Sequence, residues 1–186
     1  GNVCLFLCLF IKKKTMKKNK VLPFYFDLNK VERNYLLNDF SEILKNGKLI
    51  LGDQTIKFEK KFAKEVSTKY AIAVNSGTTA LQILLMLSIK TKNTLVAVPT
   101  NTNFATVAAI LYAGGKPFYL DMDEKYFAPK YNDFLHFYKK YKFKGIVWVH
   151  IGGIISPDFL KVRNFCNKKK LFLIEDCAHA HGSSIK

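Results

Sequence analysis

The sequence predicts an α/β fold, a three-layer α/β/α arrangement around a mostly parallel sheet. From Tyr70 onward, short apolar runs alternate with helical patterns. That alternation implies βαβ units, with helices on both faces of the sheet. The last such run, Leu171 to Ile174, is wholly apolar and leads straight into an acidic pair. A buried strand that delivers functional groups at its carboxyl end reads this way. The 186 residues, 49% of them hydrophobic, suffice for one domain with a sizeable core.

Residues 1–15 stand apart. Gly1 to Ile11 is nearly all apolar, and Lys12, Lys13 and Lys14 follow. A run of that length is too short to cross a bilayer, which takes roughly 20 residues. A secretory signal would carry its charge first and a small-residue cleavage site after. Met16 is therefore the expected start, and 1–15 an upstream extension. Residues 16–66 are expected to form an N-terminal helical arm. Within it, Val31, Tyr35, Leu36, Phe40, Ile43 and Leu44 recur at helical spacing over 29–46, and Asn46 with Gly47 supplies the stop. Residues 48–52 are short and extended. Phe58, Phe62 and Val66 predict a second helix over 55–66.

Beyond residue 66 the pattern is regular. Tyr70–Val74 reads as a strand, 75–79 as a turn, and 80–89 as a helix with Leu81, Leu84 and Leu85 inward. A second strand over 94–98 ends at Pro99. A helix over 104–113 ends at Gly114 and Gly115, and 117–120 is a third strand. A helix over 130–140 leads to a fourth strand at 145–149. A helix over 157–169 leads to the fifth, 171–174.

Lys and Arg number 30 against 14 Asp and Glu, a net charge of +16. The basic residues are spread through every segment without a nucleic-acid-binding signature, so neither nucleic acid nor a membrane is an expected partner. The excess charge suits anionic small molecules such as nucleotide sugars or sugar phosphates. Cys4, Cys8, Cys166 and Cys177 form no C-x-x-C pair and no spaced ligand set. They read as free thiols in a reducing cytoplasm.

Three stretches carry chemistry. Asn75, Ser76, Gly77, Thr78 and Thr79 join a strand to a helix, where glycine permits close backbone approach and the helix N-terminus attracts a phosphate. Hydroxyl-rich helix caps are also common without any ligand. The stretch has neither the Gly-Lys-Ser/Thr of a Walker loop nor a G-x-G-x-x-G fingerprint. His150, followed by Ile151, Gly152 and Gly153, ends the fourth strand, and lining a site or forming a structural turn are equally open to it. Asp176 ends the fifth strand. A carboxylate there, held against a ring nitrogen, keeps that nitrogen protonated, as pyridoxal 5′-phosphate needs to act as an electron sink. His179 follows three residues later as a cofactor contact, and His181 as a core histidine. On an extended chain Cys177, His179 and His181 would share one face, but they lack the separated spacing of a zinc site, and no metal is expected.

Read in order, the blocks Gly47…Gly52…Phe58-Glu59, Ser76–Leu81, Val98–Thr106, Ala113–Pro117, Val149-His150 and Ile174–Gly182 resemble the DegT/DnrJ/StrS family of sugar aminotransferases, of the aspartate-aminotransferase fold (fold type I). The resemblance covers about 20–186. It implies that 67–186 is part of a pyridoxal-phosphate-binding large domain, incomplete at its C-terminal side. It implies that Ser76, Gly77, Thr78 and Thr79 hold the cofactor phosphate, that Asp176 pairs with the pyridinium nitrogen, and that His179 lies beside the ring and its phenolic oxygen. Asp176 and His179 are thus the catalytic candidates. The family's ring-stacking aromatic falls on Asn103, with Phe104 next. Gly52 and His150 are carried over as substrate-lining positions. The family's Schiff-base lysine lies downstream of the E-D-x-A-H block in a Ser-x-x-x-Lys segment, and Lys186 does not match it. The sequence is thus expected to be an N-terminal fragment, inactive alone. The full-length protein would be a cytoplasmic homodimer that moves an amino group from glutamate to a keto-sugar, nucleotide-linked or phosphorylated, in polysaccharide or amino-sugar biosynthesis. A sugar dehydratase of the same family and a non-catalytic truncated protein are the alternatives.

Overall fold

The computed structural model describes residues 27–185. The expectations for 1–15 and for the start of the arm lie outside these residues. Six helices and four strands follow in order: α1 (Lys30–Asn46), α2 (Asp53–Glu65), α3 (Gly77–Ser88), β1 (Thr94–Pro99), α4 (Phe104–Tyr112), β2 (Gly115–Leu120), α5 (Tyr131–Tyr141), β3 (Gly145–Val149), α6 (Phe159–Lys169) and β4 (Phe172–Asp176).

The strands form one parallel sheet in the order β2-β1-β3-β4. Strand parity explains the three layers, because successive side chains leave opposite faces. Along β1, Val96 and Val98 pack with Leu81, Leu85, Ala109 and Ile110 under α3 and α4. Ala97, between them, joins Phe134, Phe143, Val162 and Cys166 under α5 and α6. Along β3, Val147 and Val149 face the first cluster and Ile146 and Trp148 the second. The chain leaves β1 on one side to make β2, then returns across it to make β3. The order therefore reverses between β1 and β3, and open α/β sheets bind ligands outside the strand ends at such a point.

Local chemistry sets the helix bounds. Asn29 and Glu32 form a reciprocal capping box on α1, and Gly47 closes it in the left-handed conformation (φ 65°). α1 buries no residue among the described ones, so its apolar positions, Tyr35 and Phe40 included, face outward. α3 begins at Gly77, inside the segment expected to be a turn, because Ser76 caps it.

One expected strand does not form. Residues 70–74 make only an isolated bridge at Ala71, so the sheet has four strands rather than five. No described strand runs alongside to complete a ladder. The segment is instead tied back through Glu59, whose Oε1 accepts from the Ala73 amide at 2.8 Å. Tyr70 and Ile72 stay exposed. An extended, apolar sequence becomes a strand only when a neighbour takes its backbone hydrogen bonds.

Candidate functional site

The carboxyl ends of β1, β3 and β4 and the start of α3 converge on one cavity of about 450 Å³. Gly77 and Thr78 form one wall. Thr102, Asn103, Ala105 and Thr106, just past β1, form another. His150 and Ile151 follow β3, and Glu175, Asp176, Ala178 and His179 close the far side.

At the α3 end, the Ser76 hydroxyl accepts from the Thr79 amide (3.1 Å) and bonds the Thr79 hydroxyl (2.9 Å). One hydroxyl proton of the pair is used in their mutual bond and the other remains available to donate; neither residue lines the cavity. Gly77 and Thr78 remain as the wall. A Cβ added to Gly77 would meet no protein atom within 4 Å, so its backbone faces open space. Free amides at a helix start, approached without steric cover, suit an anion.

At the other end, β3 and β4 are in register at Val149 and Asp176, and the His150 amide donates to the Asp176 carbonyl at 3.1 Å. The Asp176 carboxylate turns back on its own loop, Oδ1 accepting from the Ala178 amide at 3.1 Å. The Asp176 loop also brings His179 under the turn that follows β3, where Nδ1 accepts from the Gly152 amide at 3.2 Å. The chain beyond Asp176 is a series of turns, not an extended strand, so the condition under which Cys177, His179 and His181 would share one face is not met. His181 instead sits edge-on to Phe62, with ring centroids 5.9 Å apart.

His150 is buried, at 4% exposure, with its ring edge-on to Phe159 at 5.0 Å. Its Nε2 lies 3.5 Å from Glu175 Oε2, and its Nδ1 has no partner among the described residues. Cys177 joins this pair, with one ligand atom from each of the three residues within 4.8 Å of the others. Neighbouring strands, rather than sequence spacing, bring this group together. Glu175 has no role in the sequence reading beyond the acidic pair, and only strand pairing reveals it as the partner of His150.

Asn103 lines the cavity, with its side chain committed to capping α4: Oδ1 accepts from the Ala105 amide at 2.9 Å. Phe104 is 80% exposed and lies outside the cavity wall. Gly52 is also outside it, at the start of α2. No described helix is long and apolar enough to cross a membrane.

A parallel α/β sheet with a helix start and a strand-end carboxylate on one cavity at its switch point is a small-molecule binding arrangement. Residues 30–186 match the model of the DegT/DnrJ/EryC1/StrS aminotransferase family, and the chain belongs to that family. It is 36% identical over 136 residues to the GDP-perosamine synthase of Escherichia coli O157:H7, covering 73% of this chain and 36% of that protein. It is 31% identical over 174 residues to the 3-oxo-glucose-6-phosphate:glutamate aminotransferase of Bacillus subtilis, covering 92% of this chain and 38% of that protein. The crystal structure of NtdA from Bacillus subtilis with bound cofactor PMP superposes with a TM-score of 0.75 at 33% identity, covering 83% of this chain and 35% of that one. The chain thus spans well under half the length of these relatives.

Proposed function

We propose that this cavity binds pyridoxal 5′-phosphate and that the full-length protein is an aminotransferase carrying an amino group from glutamate to a nucleotide-linked or phosphorylated keto-sugar. It works as a cytoplasmic homodimer in polysaccharide or amino-sugar biosynthesis. One observation carries the reading: a single cavity is lined both by Gly77 and Thr78 at the start of α3 and by Asp176 and His179 at the end of β4. That pairing matches a ligand with a phosphate on one side and a basic ring nitrogen on the other. The unpartnered Nδ1 of buried His150 at the same wall also fits a polar occupant. Family membership and a PMP-bound relative support the same reading.

Bound there, the cofactor supplies an electron sink for bond changes at the amino donor's α-carbon. Gly77 and Thr78, at the positive end of α3, would hold its phosphate. Asp176, oriented by the Ala178 amide, would keep a proton on the ring nitrogen through its negative charge. His179 would contact the ring's phenolic oxygen. Thr102 and Asn103 line the same cavity.

The test is Asp176→Ala in the full-length protein. Glutamate-dependent amination of a nucleotide-linked keto-sugar is expected to be abolished, with the thermal midpoint little changed because the carboxylate bonds only its own loop. Near-normal turnover would remove Asp176 from its assigned role.

A further inference from the structure

We propose that the Gly152-Gly153 turn after β3 is a positioning element that fixes the His179 imidazole as its Nε2–H tautomer. The functional meaning of this tautomer rests on the cofactor reading above. Its existence does not.

The Gly152 amide donates to His179 Nδ1 at 3.2 Å across 27 positions of sequence. A neutral imidazole has one donor and one acceptor nitrogen, so an Nδ1 that accepts leaves the proton on Nε2. The flipped ring would set a carbon against the amide proton, so the bond also selects the ring's orientation. The turn is built to bring that amide close. Gly152 and Gly153 both adopt left-handed conformations, with φ of 63° and 75°. A Cβ on Gly153 would stand 2.7 Å from the His179 carbonyl oxygen, closer than real Cβ atoms come. The Ser183 hydroxyl reaches the Gly153 carbonyl at 3.4 Å, closing the loop on the other side. Gly152 can carry a side chain in open space, whereas Gly153 cannot, so backbone approach at Gly153 sets the distance from Gly152 to His179.

A fixed Nε2–H makes His179 a hydrogen-bond donor toward the cavity contents. A glutamine in the same place could do both jobs, its carbonyl accepting from Gly152 and its amide donating.

The experiment is long-range ¹H–¹⁵N NMR on the 186-residue chain labelled at histidine, without cofactor. The expected spectrum shows a pyridine-type Nδ1 and a pyrrole-type Nε2 for His179. The reversed pattern, or two averaged nitrogens, would overturn the proposal. Gly153→Ala is expected to average the two nitrogens. Gly152→Ala, which keeps its N–H, and Gly114→Ala, which bears similar backbone strain in open space (φ 80°), are expected to leave them distinct. A wild-type pattern in folded Gly153→Ala would refute the positioning role. A second readout covers a Gly153 variant that fails to fold. In the full-length protein, His179→Gln is expected to bind pyridoxal 5′-phosphate within about threefold of wild type, and His179→Leu about tenfold or more weakly. Equal loss in both would refute the donor role. If wild type binds no pyridoxal 5′-phosphate, the cofactor reading fails while the tautomer result stands on its own.

Discussion

Gly145 opens β3 directly opposite Phe172 of β4, and replacing it with alanine tests how tightly these two strands are matched. A Cβ at Gly145 would lie 2.3 Å from two carbons of the Phe172 ring and 2.5 Å from a third. Non-bonded carbons prefer about 3.5–4.0 Å, so the overlap exceeds about 1 Å. Phe172 cannot simply swing away, because it packs on the cluster formed by Leu81, Leu85, Val147 and Ile174. Overpacking of this kind costs about 1–3 kcal/mol. For a chain of this size, that lowers the thermal midpoint by about 2–12 °C. The assay is thermal unfolding followed by circular dichroism on Gly145→Ala, Phe172→Leu and the double variant. Phe172→Leu alone should cost about 1–2 kcal/mol for the ring atoms it removes from a partly buried site. The double variant should be more stable than additivity predicts by about 1 kcal/mol or more, because the smaller side chain makes room for the new methyl. A Gly145→Ala change within about 0.5 kcal/mol of wild type, or strict additivity in the cycle, would refute this account of the β3–β4 contact.

Other expectations follow from the same reading of side chains. Asp158 caps α5 from a distance, its Oδ2 accepting from the Tyr131 amide at 2.9 Å while Oδ1 pairs with Lys161 at 2.8 Å. The Lys161 ammonium first, and the Tyr131 amide second, hold its carboxyl below the ordinary 3.8. A carboxylate lowered on folding stabilises above its unfolded value, so this contribution should be fully present at neutral pH. It should be lost as pH falls below 3.8, and Asp158→Asn should flatten that part of the acid-unfolding curve. Asp158→Ala should cost about 1 kcal/mol through the lost cap, measured by urea unfolding at pH 7. Cys166 is fully buried, and burial pushes its thiol up to about 12. It should therefore resist a thiol reagent in the native chain and react at once in denaturant; rapid native modification would contradict its placement under α5 and α6. Lys170 closes α6 in the left-handed conformation (φ 56°) that glycine prefers. Lys170→Gly should raise stability by up to about 1 kcal/mol, and a destabilised variant would show that the Lys170 side chain does more than the backbone geometry indicates.

Much of the fold was legible because its signals are local. Periodicity placed α2, α4, α5 and the β strands from Thr94 onward to within a few residues, since burial on both faces of a parallel sheet demands continuous apolar runs. The acidic end of β4 pointed to Asp176 before any geometry, because a strand-end carboxylate has few structural uses. What failed was non-local. Residues 70–74 carry a strand-like pattern but lack a described neighbour to pair with. The surroundings of the other site candidates are equally non-local: the Ser76 and Thr79 hydroxyls bond each other at the start of α3, and Phe104 is exposed at the start of α4.

The sequence by itself determined the α/β class and the presence of Asp176 and His179 at and just past the end of a strand. These are matters of residue type and short-range order, and a hydrophobic period or a cap needs only its near neighbours to be read. The tertiary structure alone decided that the chain order reverses between β1 and β3, so that the ends of three strands and one helix share a cavity. It also decided that Glu175 faces His150, and that the Gly152 amide reaches His179. The partners in those contacts come from different strands and turns, and strand register sets their distances. Register depends on how the whole hydrophobic pattern packs against both helical layers, which no single stretch of sequence contains.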